Sequence, residues 1–242
     1  MLADWAVNEF SEAIDTAWAL IRSGDPVLVE IVARSLQVSL SAVFCAGLVG
    51  LPLGACLALQ PFPGRQILLV VLNAAMGLPP VVVGLLLYLL LSRAGPFGFL
   101  GLLFSASAMV LAQTLIVLPI VAALSRQILA NLWEEYRESL QSLGASGWQA
   151  LGTLLWEGRF RLLTVLMAGF GRAMAEVGAV LIVGGNIAHV TRVMTTTIAL
   201  ETSKGNLALA LALGLILIVL ALVVNGAVFL MQESGKQSVD DN

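Results

Sequence analysis

The chain has 242 residues, of which 59% are hydrophobic and 11% charged, and its formal net charge is -3. Soluble domains carry roughly a quarter charged residues, so this composition excludes a soluble globular protein and marks an integral membrane protein. The slight acidic balance, with no basic tail or patch, also excludes a nucleic-acid partner.

At the N-terminus, Asp4, Glu9, Glu12 and Asp15 precede the first basic residue, Arg22. A cleavable signal peptide needs a positive n-region, so none is expected. Asp4, Asn8, Glu12 and Asp15 share one helical face, and Phe10, Ile14, Trp18 and Ile21 share another. Residues 1–30 therefore read as an amphipathic segment. Such a helix either lies in the membrane interface, which suits its Trp residues, or packs on the outside of a neighbouring helix.

Residues 31–231 read as the membrane domain. Crossing about 30 Å of hydrocarbon takes about 20 apolar helical residues. Residues 38–59, 67–91, 100–124 and 207–230 are uncharged and long enough, and 162–183 joins them except for Arg172 and Glu176. The reading is five transmembrane helices in an all-α, polytopic protein, because backbone groups in lipid must be satisfied within each segment. Cys45 and Cys56 share the first span, about 16 Å apart along a helix, too far to bridge; they read as packing residues. Pro52 and Pro119 predict kinks in the first and third spans, while Pro79 and Pro80 interrupt the second and free carbonyls that a path can use. Asn73, Gln113 and Asn225 are expected to hydrogen-bond between helices.

The connections differ in kind. Pro/Gly turns follow the first two spans. Residues 125–161 form a long polar insert, 184–206 a shorter polar link on the opposite side, and 232–242 a polar tail expected to fray. No internal repeat is visible, which argues against an inverted-repeat secondary transporter. Within the insert, Ser146 and Gln149 make a capping-box pattern, and Gly144 suits the left-handed end of the preceding helix. Helix, tight turn and helix form a lever that fits a partner's cleft; the plain alternative is an ordinary hairpin.

Glu138, Ser139, Leu140 and Gly144 match in spacing the first half of the E-A-A loop by which permease subunits of ABC importers engage their ATPases. Leu154, Leu155, Trp156 and Glu157 stand where the second half of that loop has I-x-L-P. Residues 73–101, 112–120 and 171–202 resemble permeases of the molybdate, sulfate and tungstate importers, the last stretch being most similar to the tungstate-specific branch. What the resemblance implies is a type I ABC importer permease fold with a cytoplasmic coupling-helix loop, and a homodimer in the cell membrane. Two cytoplasmic ABC ATPase subunits and an extracytoplasmic oxyanion-binding protein would be its partners. Glu138, Ser139, Leu140, Gly144 and Ala145 would carry the ATPase coupling. The cargo implied is a tetrahedral oxyanion, tungstate first and molybdate or sulfate as alternatives, moved by alternating access.

The chain itself is expected to be no enzyme. It has no G-x-x-x-x-G-K-[ST] phosphate loop, its only Gly-Lys pair, Gly235 and Lys236, being followed by Gln237. ATP and magnesium would belong to the partner ATPase, with no cofactor in this chain. His189 has no second His or nearby Cys, so no metal site is expected.

Arg172 and Glu176 are the only charges inside a predicted span, spaced to share a helical face near the bilayer midplane. Charges at that depth face protein or a water-filled path. They read either as a structural ion pair at the dimer interface or, with Pro79 and Pro80, as the translocation path or gate. Arg159 and Arg161 at the foot of the fourth span, with the acidic N-terminus, favour a cytoplasmic insert and C-terminus and an external N-terminus. Arg192 and Lys204 then fall outside, as candidates for docking the binding protein. Two other classes stay open: a freestanding secondary transporter or exporter, with Glu176 as the sole candidate coupling carboxylate, and a structural membrane subunit without transport.

Overall fold

A computed structural model describes the backbone of residues 2–240 and the side chains of residues 12–230 other than Trp148 and Val228. Among the described residues there are ten α-helices and no strand. In chain order they are α1 (Leu2–Ser23), α2 (Pro26–Leu59), α3 (Arg65–Met76), α4 (Pro80–Leu91), α5 (Ala106–Ser142), α6 (Gly147–Glu157), α7 (Arg159–Met174), α8 (Gly178–Gly184), α9 (Met194–Ser203) and α10 (Leu207–Asp240). Three helices, α2, α5 and α10, are each long and apolar enough to span a membrane, and the total is 5 if each of the bent pairs α3/α4 and α7/α8 is counted as one span.

The start of α2 is set by its cap. Asp25 Oδ1 accepts from the amides of Val27 and Leu28, both at 3.0 Å, and Pro26 occupies the first turn, where its missing N–H is no loss. The helix therefore begins inside the 1–30 stretch. Ahead of it, α1 packs along α10: Ala13 and Ala17 are buried, and Leu20 and Ile21 lean on the main core. Of the two placements open for the amphipathic segment, the structure takes packing on a neighbouring helix. The side chains of Asp4, Asn8 and Phe10 lie outside the described residues.

The central seam joins α2 to α5. A Cβ added at Gly50 would lie 2.9 Å from Val121 Cγ1, and one at Gly54 would lie 2.7 Å from the Ala122 carbonyl oxygen. Small residues four apart let the two backbones approach, as in membrane helix pairs generally. Both helices run unbroken through their internal prolines, Pro52 and Pro119.

The two bent spans break for different reasons. Between α3 and α4 the chain turns by 103° at Gly77, Leu78 and Pro79, where proline restricts the residue before it and Pro80 opens the next helix. The α7/α8 span, expected to be continuous, turns by 62° at residues 175–177 without any proline. There the Glu176 side chain accepts from the Ala179 amide at 3.1 Å, so a side chain takes over a backbone role and competes with helix continuation.

Four other expectations change in detail. The first half of the polar insert is an extension of α5 itself, which continues to Ser142. The 184–206 link contains a helix, α9, whose Met194, Thr196, Thr197 and Glu201 are buried. At the C-terminus α10 continues as one helix to Asp240, through the stretch expected to fray. Of the three polar residues expected to bond between helices, Gln113 does so, while Asn73 is exposed and Asn225 donates to Ala221 in its own helix.

Candidate functional site

The two breaks lie side by side because α4 packs on α8 through glycines. A Cβ at Gly84 would lie 2.7 Å from Ala179 Cα; one at Gly178 would lie 2.6 Å from Val81 Cγ2 and 3.7 Å from Glu176 Oε1. Val81, the residue after Pro80, thus lies close to Gly178 and the Glu176 carboxylate, which brings the two breaks near each other.

Arg172, in the last turn of α7, donates through its guanidinium to Glu176 Oε2 at 2.8 Å. The pair is unequal: the Glu176 side chain is 4% exposed and that of Arg172 34%. Placement favours both charges, a cation at the C-terminal end of one helix and an anion at the N-terminal end of the next. The break is also gripped from outside. Gln113 of α5 donates Nε2 to the Ala173 carbonyl at 2.9 Å, and Thr195 of α9 donates its hydroxyl to the Glu176 carbonyl at 2.8 Å. Gln113 Oε1 is buried with no partner. The role of Thr195 was hidden from sequence reasoning, since nothing local links it to residue 176.

At the other end of the molecule, α5, a tight turn and α6 form the helix–turn–helix expected. Gly144 has φ 67°, the left-handed conformation that glycine adopts without penalty. The turn is closed by Gly144 N–H to Gln141 and Ala145 N–H to Leu140, both at 3.0 Å. Ser146 and Gln149 form the capping box of α6. Glu138 and Ser139 are exposed on the last turns of α5, and Ala145 is half-buried. Leu140 points the other way, into a core cluster with Leu129, Ala150, Leu154 and Leu162, and so holds the hairpin together. The prominent apolar group at the tip is instead Leu143, 81% exposed, which the motif match passed over. Where the family loop has its I-x-L-P half, Leu154 is buried and Trp156 is exposed, with the Arg159 guanidinium stacked 4.5 Å above the Trp156 ring. The join to α7 falls at Gly158, where a Cβ would meet the Leu154 carbonyl and Leu132 Cδ1 at 3.0 Å.

Around the end of α9, Lys204 donates to Glu201 Oε1 and Asn206 to Oε2, each at 3.0 Å. The Lys204 hydrogen bond, helped by Asn206 and the charge of Arg192 against the opposing effect of burial, holds the Glu201 carboxyl below the usual range. Arg192 is half-buried, with its Nε lacking a partner. It borders a cleft with Glu30, Arg34 and His189, where His189 Nδ1 lies 2.8 Å from Glu30 Oε2 and Arg34 donates to the His189 carbonyl at 3.2 Å. Among the described residues no group of three or more His, Cys, Asp or Glu could hold a metal ion.

Comparison with known proteins gives a consistent result. Residues 50–233 match the family described as binding-protein-dependent transport system inner membrane component. A probable anion ABC transporter permease of Haloferax volcanii is 39% identical over 216 residues, covering 86% of this chain and 93% of its own. The tungstate uptake system permease TupB of Peptoclostridium acidaminophilum is 37% identical over 223 residues, covering 92% of this chain and 98% of its own. More distant, the sulfate transport permease CysW of Synechococcus elongatus is 31% identical over 207 residues, with 79% and 69% coverage. Among solved structures, the MetNI methionine ABC transporter in an inward-facing conformation superposes with a TM-score of 0.62 over 89% of this chain and 95% of that chain, at 17% identity. At that identity the likeness is one of fold.

Proposed function

Since the chain belongs to the family of binding-protein-dependent transport system inner membrane components, we propose that it is the permease subunit of an ABC importer for a tetrahedral oxyanion. We favour tungstate, on the strength of the TupB relative that covers 92% of this chain; molybdate and sulfate are the alternatives within the same chemistry. In this reading two copies form the membrane unit, two cytoplasmic ABC ATPases supply ATP hydrolysis with magnesium, and an extracytoplasmic oxyanion-binding protein delivers the cargo. The N-terminus lies outside and the C-terminus in the cytoplasm. A freestanding secondary transporter does not fit a binding-protein-dependent family.

The observation that carries the reading is the α5–α6 hairpin, a rigid, capped turn that presents Glu138, Ser139 and Leu143 beyond the spans. Gly144 and Ala145 set its angle, and buried Leu140 ties it to α6 and to the start of α7. A push on the tip is thereby delivered to α7, whose other end carries Arg172. There Arg172 meets the passing dianion, with Glu176 as its resting partner and Pro79 and Pro80 forming the neighbouring wall. Arg192 and Lys204 lie on the outer face, where the binding protein docks; Lys204 acts there already paired with Glu201.

The test is co-purification of the ATPase with Gly144→Val and Glu138→Lys variants, together with ATP-dependent uptake of tungstate, molybdate and sulfate into reconstituted vesicles. A β-branched residue in a left-handed backbone costs about 1–2 kcal/mol locally, and no side chain crowds the site. Gly144→Val should therefore insert normally yet lose ATPase binding or coupling. Normal values of both would show an ordinary hairpin, and preference for another anion would reassign the cargo.

A further inference from the structure

The bend between α7 and α8 has no proline to enforce it, so its shape depends on its own Glu176 side chain and on groups that reach it from other helices. On the outer side that group is Thr195, whose hydroxyl donates to the Glu176 carbonyl at 2.8 Å. The residue before it is fixed as well: the Met194 amide donates to Ser35 Oγ of α2 at 2.7 Å, a buried bond. Thr196 adds a bond to Asn186 Oδ1 at 3.0 Å, in the turn that follows α8. Three consecutive residues at the start of α9 thus bind the outer part of α2, the bend itself and the far end of α8. The same helix carries Glu201, and Lys204 follows at its end, the part that the importer reading places on the outer face.

We infer that Thr195 is a positioning residue for transport: its hydroxyl fixes the Glu176 carbonyl, and with it the Arg172–Glu176 pair, to the outer helix α9. A displacement of α9 then reaches the bend through one hydrogen bond. Gln113 holds the other side of the bend through Ala173 at 2.9 Å, so a loss at Thr195 leaves the bend tethered on one side and free on the other. The inference rests on the importer reading, in which a binding protein presses on the outer face.

The experiment uses the full complex with its ATPase and oxyanion-binding protein in proteoliposomes, with tungstate as the probe. Uptake and ATP hydrolysis are measured together for wild type, Thr195→Val and Thr195→Ser. Valine keeps the shape of threonine and removes the hydroxyl; serine keeps the hydroxyl. The tungstate moved per ATP hydrolysed should fall about tenfold in Thr195→Val, the fold-change matching one lost hydrogen bond, and recover to within about twofold in Thr195→Ser. A Thr195→Val complex with the wild-type ratio overturns the inference, as does one whose uptake and hydrolysis fall in proportion, which would mean only less folded complex. Equal impairment of both variants overturns it too. A wild-type complex that moves neither tungstate, molybdate nor sulfate overturns the importer reading itself, and the inference with it.

Discussion

Removing Arg172 should destabilise the protein more than removing Glu176, and removing both should be milder than removing Arg172 alone. Glu176 is 4% exposed, and among the described residues its carboxylate has one charged partner, Arg172, and one backbone donor, Ala179. Arg172→Met leaves a buried carboxylate facing a single amide, a loss on the order of 3–5 kcal/mol. Glu176→Gln keeps an oxygen for the Ala179 amide and leaves a guanidinium that is 34% exposed, so its cost falls to about 1–2 kcal/mol. The double variant strands no charge and should stay within about 2 kcal/mol of wild type. For a chain of this size each kcal/mol moves Tm by about 2–4 °C, which predicts losses of about 6–20 °C, 2–8 °C and at most 8 °C respectively. The assay is thermal unfolding of the purified protein in one detergent at neutral pH. A double variant as unstable as Arg172→Met, or Glu176→Gln worse than Arg172→Met, would refute the argument that burial of the carboxylate sets the asymmetry.

Gly84→Ala places a Cβ 2.7 Å from Ala179 Cα, against backbone that cannot turn aside, and should lower Tm by the equivalent of about 1–3 kcal/mol; Gly214→Ala, with nothing within 4 Å, is the control and should not. The Glu201 carboxyl is held below its ordinary range chiefly by Lys204, so the folded state binds its proton less readily than the unfolded state. The stabilisation is present above the ordinary value of 4.5 and is lost as pH falls through the lower folded value; Glu201→Gln should flatten this acid limb of the Tm profile, and an unchanged limb would remove Glu201 as its cause. Topology is best read at Ser203, which is exposed, and not at Thr196, which is 1% exposed. In a background lacking Cys45 and Cys56, Ser203→Cys should react with an impermeant thiol reagent from outside, whereas labelling from the cytoplasm alone would invert the proposed orientation.

What the sequence made legible was whatever is encoded locally. Long apolar runs located every span, the pattern of Ser146 and Gln149 located the start of α6, and Gly144 located the turn. The contact between Arg172 and Glu176 was legible too, from their spacing of four and the expense of lone charges in lipid, although the helix ends at Met174, between them. Less legible was the direction in which a motif residue points. Leu140 and Leu143 are equally apolar in sequence, yet the geometry of the last turn of α5 buries the first against α6 and exposes the second at the tip. The 184–206 link misled for a related reason: it reads as polar, but Thr196, Thr197 and Glu201 each find a hydrogen-bond partner that permits burial.

Local reading reaches one of the two breaks and not the other, and the difference has a mechanical side. Pro79 and Pro80 bend their span by covalent geometry, since the missing donors and the fixed φ remain whatever the neighbours do. The α7/α8 bend has no such basis; besides its own Glu176 side chain it is held by Gln113 of α5 and Thr195 of α9. A bend fixed by covalent geometry persists when neighbours move, whereas one fixed by distant hydrogen bonds changes when they do. In the proposed importer the α3/α4 elbow is therefore suited to be the stationary wall. The α7/α8 bend is bonded to α9 through Thr195 and connected along α7 to Gly158 and α6, so in that reading it is the part that answers both the binding protein and the ATPase.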